Sequence, residues 1–314
     1  MSEAVVIDDV TKTFGSTTAV SALSLAVPRG SVYGFIGPNG SGKSTTLRMI
    51  MRIFHPDRGR SSVLGADATG AAASDRVGYL PEERGLYRKM KVYDLLKFYA
   101  ELKSKRVTNA EIDRWLNRID LAGVGPKPVE AMSKGMAQKV QFLTTVLHEP
   151  ELLILDEPFS GLDPVNMEVL KDAILEQRKR GATIIFSTHD MDVAEKMCDF
   201  IFMIFKGKKV LDGTLASIQD RYGRDTIRVR VEGNGIAFDQ LPGVERVNDF
   251  GQLQELRMTP GGDAQAVLAA LVARSRVSHF EIAKPTLHDI FVRIAGPAAE
   301  TAAGASAAGE VKHE

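Results

Sequence analysis

Gly37-Pro38-Asn39-Gly40-Ser41-Gly42-Lys43-Ser44 satisfies G-x-x-x-x-G-K-[ST] at every fixed position, the pattern of a phosphate-binding loop. The apolar run Val32-Tyr33-Gly34-Phe35-Ile36 precedes it as a buried strand would, and Thr45-Thr46-Leu47-Arg48-Met49-Ile50 comes after it with helical character. Glycines let successive backbone N–H groups turn inward as an anion nest. The helix that begins there aims its positive end at the same spot. On this reading Gly37 to Thr45 cradle the phosphates, Lys43 reaches the β- and γ-phosphates, and Ser44 offers its hydroxyl to Mg²⁺. A chance glycine-rich turn is the plain alternative, and it does not require a strand before it and a helix after it. A nucleotide is therefore the expected ligand.

Bulk composition narrows the class. The chain of 314 residues is 44% hydrophobic, which fills a substantial core and argues against disorder. Forty basic residues balance forty acidic ones, so nucleic acid is not expected as the main partner. Cys198 is the one cysteine, which excludes an intrachain disulfide and suggests a reducing compartment and a structural thiol. No secretory signal is read at the N-terminus, where Ala4-Val5-Val6-Ile7 meets Asp8 and Asp9 at once. Apolar runs such as Phe200 to Phe205 fall far below the ~20 residues that span a bilayer. The expectation is a soluble chain that works at a membrane only if another protein holds it there.

Outward from the loop, Val5 to Val27 alternates in short runs with turns at Gly15-Ser16 and Pro28-Arg29-Gly30, the texture of antiparallel strands. Further strand-like runs stand at Ser62–Gly65 and Val77–Leu80. Val92, Leu95, Leu96, Phe98, Tyr99 and Leu102 then recur at helical spacing, and Thr108 with Glu111 is a capping-box signature for a second helix. This stretch, about 83–148, predicts a helical insertion in an α/β domain. The spacing then predicts helices over 133–148 and 164–180, strands over 151–155 and 182–187, and a hairpin around Gly207. Past residue 222 alternating Ile227, Val229 and Val231, a helix over 263–273 and a strand from Val277 to Ala283 suggest a small α+β unit over 223–295. From Gly296 to Glu314 the Ala, Gly and Ser content predicts a disordered tail.

Two further signals carry chemistry. Leu152-Leu153-Ile154-Leu155-Asp156-Glu157 is a buried strand ending in adjacent carboxylates, which places Asp156 where phosphate-loop proteins bring an acid to Mg²⁺. Glu157 then stands where it can orient or deprotonate the attacking water. His189 ends the strand Thr183–Ser187, where a neutral imidazole could hydrogen-bond the γ-phosphate. A strand ending at a charged turn and an ordinary loop histidine are the plain alternatives. The other histidines, His148 among them, have no such setting.

The order Phe14, phosphate loop, helical insertion, Ser133-Lys134-Gly135-Met136-Ala137-Gln138, Leu155-Asp156-Glu157, Ser160-Gly161-Leu162-Asp163 and His189 resembles the nucleotide-binding subunit of ATP-binding cassette (ABC) transporters, over roughly residues 4–220. Residues 223–295, ending in Lys284-Pro285-Thr286-Leu287-His288-Asp289-Ile290-Phe291, look like the accessory domain of some bacterial export-type cassettes. The resemblance implies a phosphate-loop ATPase fold over 1–222, with a parallel sheet core, an antiparallel β subdomain and the helical insertion. It implies that Phe14 stacks on adenine, that Ser133 and Gly135 serve the γ-phosphate bound by an opposite subunit, and that Asp163 lies at the dimer seam. ATP with Mg²⁺ then joins a homodimer or a cassette heterodimer, and hydrolysis drives an integral membrane permease. The implied location is the cytoplasmic face of the membrane, held peripherally.

The pattern is departed from twice. The usual Leu-Ser-Gly-Gly-Gln signature is here Met132-Ser133-Lys134-Gly135-Met136. Where family members carry a Gln after Gly78-Tyr79-Leu80-Pro81, this chain has Glu82-Glu83. Glu82 can still ligate Mg²⁺ but adds negative charge beside a triphosphate. By the same resemblance Arg84 to Tyr93 touch the permease, with Tyr87, Met90 and Tyr93 as a docking surface or as local core. The competing class is a soluble ABC-type ATPase acting as a regulatory switch or on ribosomes or DNA. Such proteins usually carry two cassettes, coiled-coil insertions or zinc hooks, none of which is read here.

Overall fold

The computed structural model describes residues 2–67, 75–83, 85–223, 225–232 and 236–296. Apart from Gly296, the expected tail lies outside the described residues, as does Arg84. The chain divides into two units, Met1–Gly213 and Thr214–Glu314.

In the first unit, strands Glu3–Phe14 (β1) and Thr17–Pro28 (β2) pair antiparallel through several register shifts. The strand Val32–Ile36 (β3), wholly buried, leads into the phosphate loop, and Lys43–Ile50 (α1) leaves it. Strands Arg58–Val63 (β4) and Ala66–Asp67 (β5) complete the order β2-β1-β4-β5. The predicted strand at 62–65 thus begins earlier and stops at Val63, where Leu64 and Gly65 turn at positive φ.

Next come Val77–Leu80 (β6) and the helices Val92–Glu101 (α2), Asn109–Arg118 (α3) and Lys134–Val146 (α4). The capping box read at Thr108 is present, with both reciprocal bonds to Glu111. Leu152–Asp156 (β7), Pro164–Lys179 (α5), Thr183–Thr188 (β8), Met191–Met197 (α6), Phe200–Phe205 (β9) and Lys208–Gly213 (β10) finish the unit.

The central sheet runs β10-β9-β3-β8-β7-β6, parallel except for the terminal hairpin strand β10. Every residue of β3, β7 and β8 is buried, as expected for parallel strands covered on both faces. One face packs Leu47, Met49 and Ile50 of α1 and the antiparallel strands against Phe35, Ile154 and Phe202. The other packs α2 to α5 through Leu95, Ile112, Phe142, Leu143 and Ile174. Each such side chain taken fully out of water contributes roughly 1.5–3 kcal/mol, which fixes the sheet between its layers. The carboxyl ends of β3, β7 and β8 therefore meet at one rigid edge, where ligands bind in open α/β sheets. Burial also pushes the Cys198 thiol far above its ordinary range, consistent with a structural residue.

The second unit contains Leu215–Tyr222 (α7), Thr226–Glu232 (β11), Val244–Asp249 (β12), Gln254–Met258 (β13), Ala264–Val272 (α8), Arg276–Ala283 (β14) and Leu287–Ala295 (α9). Its antiparallel sheet, ordered β12-β13-β11-β14, is closed by Val267 and Leu271 of α8 over Ile227, Val229 and Leu256. Helix α7 goes with this unit, whereas the sequence pattern puts the boundary after residue 222.

Candidate nucleotide site

The phosphate loop is shaped by what its glycines cannot carry. A Cβ on Gly37 would collide with the Ile204 carbonyl, and one on Gly42, at φ +109°, would sit 2.6 Å from the Ala19 carbonyl oxygen. Gly42 also caps α1 without a side-chain hydrogen bond, so the helix N-terminus is open to an anion. Asn39, Gly40, Ser41, Gly42, Lys43, Ser44 and Thr45 line a cleft of about 270 Å³, shared with Glu82 and Glu157. Gly37 and Pro38 support it from behind, their carbonyls accepting from Lys43 Nζ at 2.7 and 3.3 Å.

The sheet edge brings the acids to the loop. Asp156 is fully buried, and its Oδ1 accepts from Ser44 Oγ at 3.1 Å and from Ser187 Oγ at 2.5 Å. Its Oδ2 has no partner among the described residues. Glu157 is 7% exposed, with Oε1 3.5 Å from Lys43 Nζ and Oε2 3.1 Å from His189 Nδ1. Its backbone sits at φ +48°, a left-handed conformation that costs roughly 1–2 kcal/mol without a glycine, and its N–H donates to Ser187 Oγ at 3.0 Å.

His189 is held above the ordinary imidazole pKa, chiefly by its hydrogen bond to Glu157. A ring nitrogen facing a carboxylate carries the proton. The ring is half-exposed.

The site fits Mg²⁺ by its donor set. An orphaned, buried carboxylate oxygen on Asp156 and the Ser44 hydroxyl beside it are hard oxygen ligands. Among the described residues no group of three or more His, Cys, Asp or Glu could hold a metal ion. Phosphate oxygens and water must complete the shell, as Mg²⁺ usually requires.

The remaining predicted residues lie elsewhere. Phe14, at the end of β1, is 44% exposed and meets Phe54 edge-on at 5.2 Å, outside the cleft lining. Ser133 caps α4 and Asp163 caps α5, each accepting a backbone N–H three residues on. Gly135 faces Leu162 and Asn166, so these three share one region that does not line the cleft in a single chain. Tyr87 is exposed, while Met90 and Tyr93 pack against the core. Ser187 carries no sequence signal of a site residue. A serine inside a β-branched strand has no motif, and only its pairing opposite Asp156 reveals it.

Comparison with known proteins gives the same picture. Residues 20–160 match the family described as ABC transporter, and residues 213–295 match the family described as ATP-binding protein DrrA1-3-like, C-terminal domain. The chain is 40% identical over 292 residues to the uncharacterized ABC transporter ATP-binding protein YhaQ of Bacillus subtilis (strain 168), covering 92% of this chain and 98% of that one. It is 33% identical to the fluoroquinolones export ATP-binding protein Rv2688c of Mycobacterium tuberculosis (strain ATCC 25618 / H37Rv), covering 69% and 72%. A solved ATP binding subunit of an ABC transporter superposes with a TM-score of 0.64 at 31% identity, over 70% of this chain and 93% of that one.

Proposed function

This chain belongs to the ABC transporter ATP-binding proteins, and from that premise we propose that two copies clamp ATP and Mg²⁺ between them, hydrolyse it and drive a separate membrane permease that exports its substrate. The observation that carries this reading is that Lys43, Ser44 and Glu157 line one cleft at the carboxyl edge of the sheet while Asp156 and His189 bond to Ser44 and Glu157.

Each residue has a task its chemistry suits. Lys43 exchanges its contacts with loop carbonyls and Glu157 for phosphate oxygens and counters their charge. Ser44, Asp156 and Glu82 hold the metal, which when bound supplies neutralisation of the phosphate charge. Glu157, freed from Lys43, takes the proton of the attacking water as its oxygen bonds to the γ-phosphorus and the bond to the bridging oxygen breaks, releasing ADP and phosphate. His189 keeps the Glu157 carboxylate oriented and donates from its half-exposed ring to the γ-phosphate. Phe14 stacks on the adenine. Ser133, Gly135 and the start of α4 serve the nucleotide held by the partner copy, with Asp163 at the seam. The exposure of Ser133 and Asp163, and the separation of all three from the chain's own cleft lining, support that arrangement.

The permease is proposed to dock on a second groove of about 330 Å³ beside β6, lined by Tyr79, Leu86, Tyr99, Leu102, Gln141 and His148. Among the described residues its lining holds buried polar atoms without a hydrogen-bond partner, Gln141 Oε1 and the ring nitrogens of His148, the latter near the Val77 backbone, Lys103 and Asp75. Exposed Tyr87, Phe98 and Leu102 belong to the same region. Among the described residues no helix is long and apolar enough to cross a membrane, which suits a peripheral subunit on the cytoplasmic face. The family's drug-export relative and the DrrA-like second unit favour export. The test is purification of the tagged chain from detergent-solubilised membranes. A polytopic membrane protein is expected to come with it; recovery with ribosomes or nucleic acid instead would favour the soluble-switch alternative.

A further inference from the structure

We propose that Ser187 is a positioning residue for the nucleotide chemistry, its single hydroxyl locking the carboxylate of Asp156 and the backbone of Glu157 into one unit. The inference rests on the roles assigned to those two acids above.

Ser187 is fully buried in β8, directly opposite Asp156 in the parallel pairing with β7. Its Oγ donates to Asp156 Oδ1 at 2.5 Å and accepts from Glu157 N at 3.0 Å, so one atom holds both consecutive residues. The first bond decides which Asp156 oxygen is free. With Ser44 and Ser187 both donating to Oδ1, Oδ2 is left without a partner among the described residues. A carboxylate without that tie has a broad terminal torsion and can turn either oxygen toward a cation. The second bond supports the left-handed turn at Glu157, whose buried N–H would otherwise lack an acceptor. That turn sets where the Glu157 side chain departs from the strand, and hence where a base stands relative to water. The adjacent hydroxyl is not placed to substitute, because successive strand side chains point to opposite faces and Thr188 Oγ1 instead accepts from the Asp190 N–H.

The phosphate loop meets this linkage only through Ser44 at Asp156 and Lys43 at Glu157, while its backbone cradle and the Lys43 bonds to the Gly37 and Pro38 carbonyls do not involve Ser187, so loss of the hydroxyl should spare Mg²⁺-free nucleotide binding and damage metal response and turnover. The test uses the full chain with Ser187→Ala and Ser187→Thr, comparing ATP binding without Mg²⁺, the tightening of ATP binding that Mg²⁺ brings, kcat and KM. For Ser187→Ala, unchanged Mg²⁺-free binding, a weakened response to Mg²⁺ and a kcat lowered about tenfold to a hundredfold with little change in KM are expected, the scale of a small misplacement of reacting groups. Ser187→Thr, which keeps the hydroxyl, is expected to restore most of both losses. Wild-type kcat and Mg²⁺ response in Ser187→Ala overturn the proposal. Loss of Mg²⁺-free ATP binding together with kcat overturns it too, by reducing Ser187 to a packing residue. Should the alanine variant not fold, Ser187→Cys replaces it, since a thiol is a weaker donor and acceptor; wild-type values there have the same meaning. A Glu157→Gln control separates the levels. If that variant turns over normally, the underlying reading of the base fails. If it is inactive while Ser187→Ala is unaffected, only the role of Ser187 is lost.

Discussion

Glu82 is the residue whose chemistry departs furthest from the family pattern. It lines the phosphate cleft together with Glu157, so a bound triphosphate would face two carboxylates from this chain beside the buried Asp156. Like charges within a few ångströms oppose each other more strongly in a partly desolvated cleft than in water. Glu82→Gln removes one of them and keeps an oxygen ligand for a cation. ATP affinity in equilibrium titration is expected to be retained or raised by this substitution. A large loss would mean that the acid itself is needed to hold the metal. Lys43 shows the complementary case, a buried cation satisfied by loop carbonyls and Glu157, contacts that a bound phosphate would replace on the proposed reading.

At the scale of elements, α4 links two regions: its N-terminus carries Ser133, and buried His148 on the floor of the second groove lies just past its far end. Burial pushes that imidazole down to about 4, against an ordinary value near 6.5. The unfolded chain therefore takes up a proton as pH falls through about 6.5, while the folded chain resists until about 4. The stability tied to a neutral His148 is intact above pH 6.5 and is lost progressively between about 6.5 and 4. His148→Leu is expected to flatten this part of the acid limb in denaturant titrations at pH 7.5 and 5. An equal acid loss in both proteins would remove His148 as its source.

The elements were legible where local signals agreed. Buried β3, β7 and β8 are short apolar runs bounded by charged or glycine-rich turns, and α3 announces itself with its capping box. The edge strand β12 escaped because Val244-Glu245-Arg246-Val247-Asn248-Asp249 has no fully buried face. Helix α6, with seven residues, is too short to show a period. The acids and His189 were found because each ends a strand. Ser187 and the contact of His189 with Glu157 were not, since register and hydrogen-bond partners are properties of the folded sheet.

For the whole molecule, the central claim is that one chain holds half of each site. The loop, Glu82 and Glu157 line the cleft, with Asp156 and His189 bonded to Ser44 and Glu157, while Ser133 and Asp163 stand exposed at the starts of α4 and α5 with half-buried Gly135 nearby, outside that lining. A two-fold pairing would bring each set to the other, with ATP buried between them and hydrolysis releasing the copies. The affinity of the pair then depends on nucleotide, as for any ligand that favours one state. Blocking hydrolysis at Glu157 should trap that state. The direct measurement is the molar mass by light scattering of Glu157→Gln, with and without Mg²⁺ and ATP, beside its turnover. The account predicts normal ATP binding, lost turnover and a shift from monomer to dimer on adding ATP. A chain that binds ATP yet remains monomeric at every nucleotide and protein concentration would contradict it.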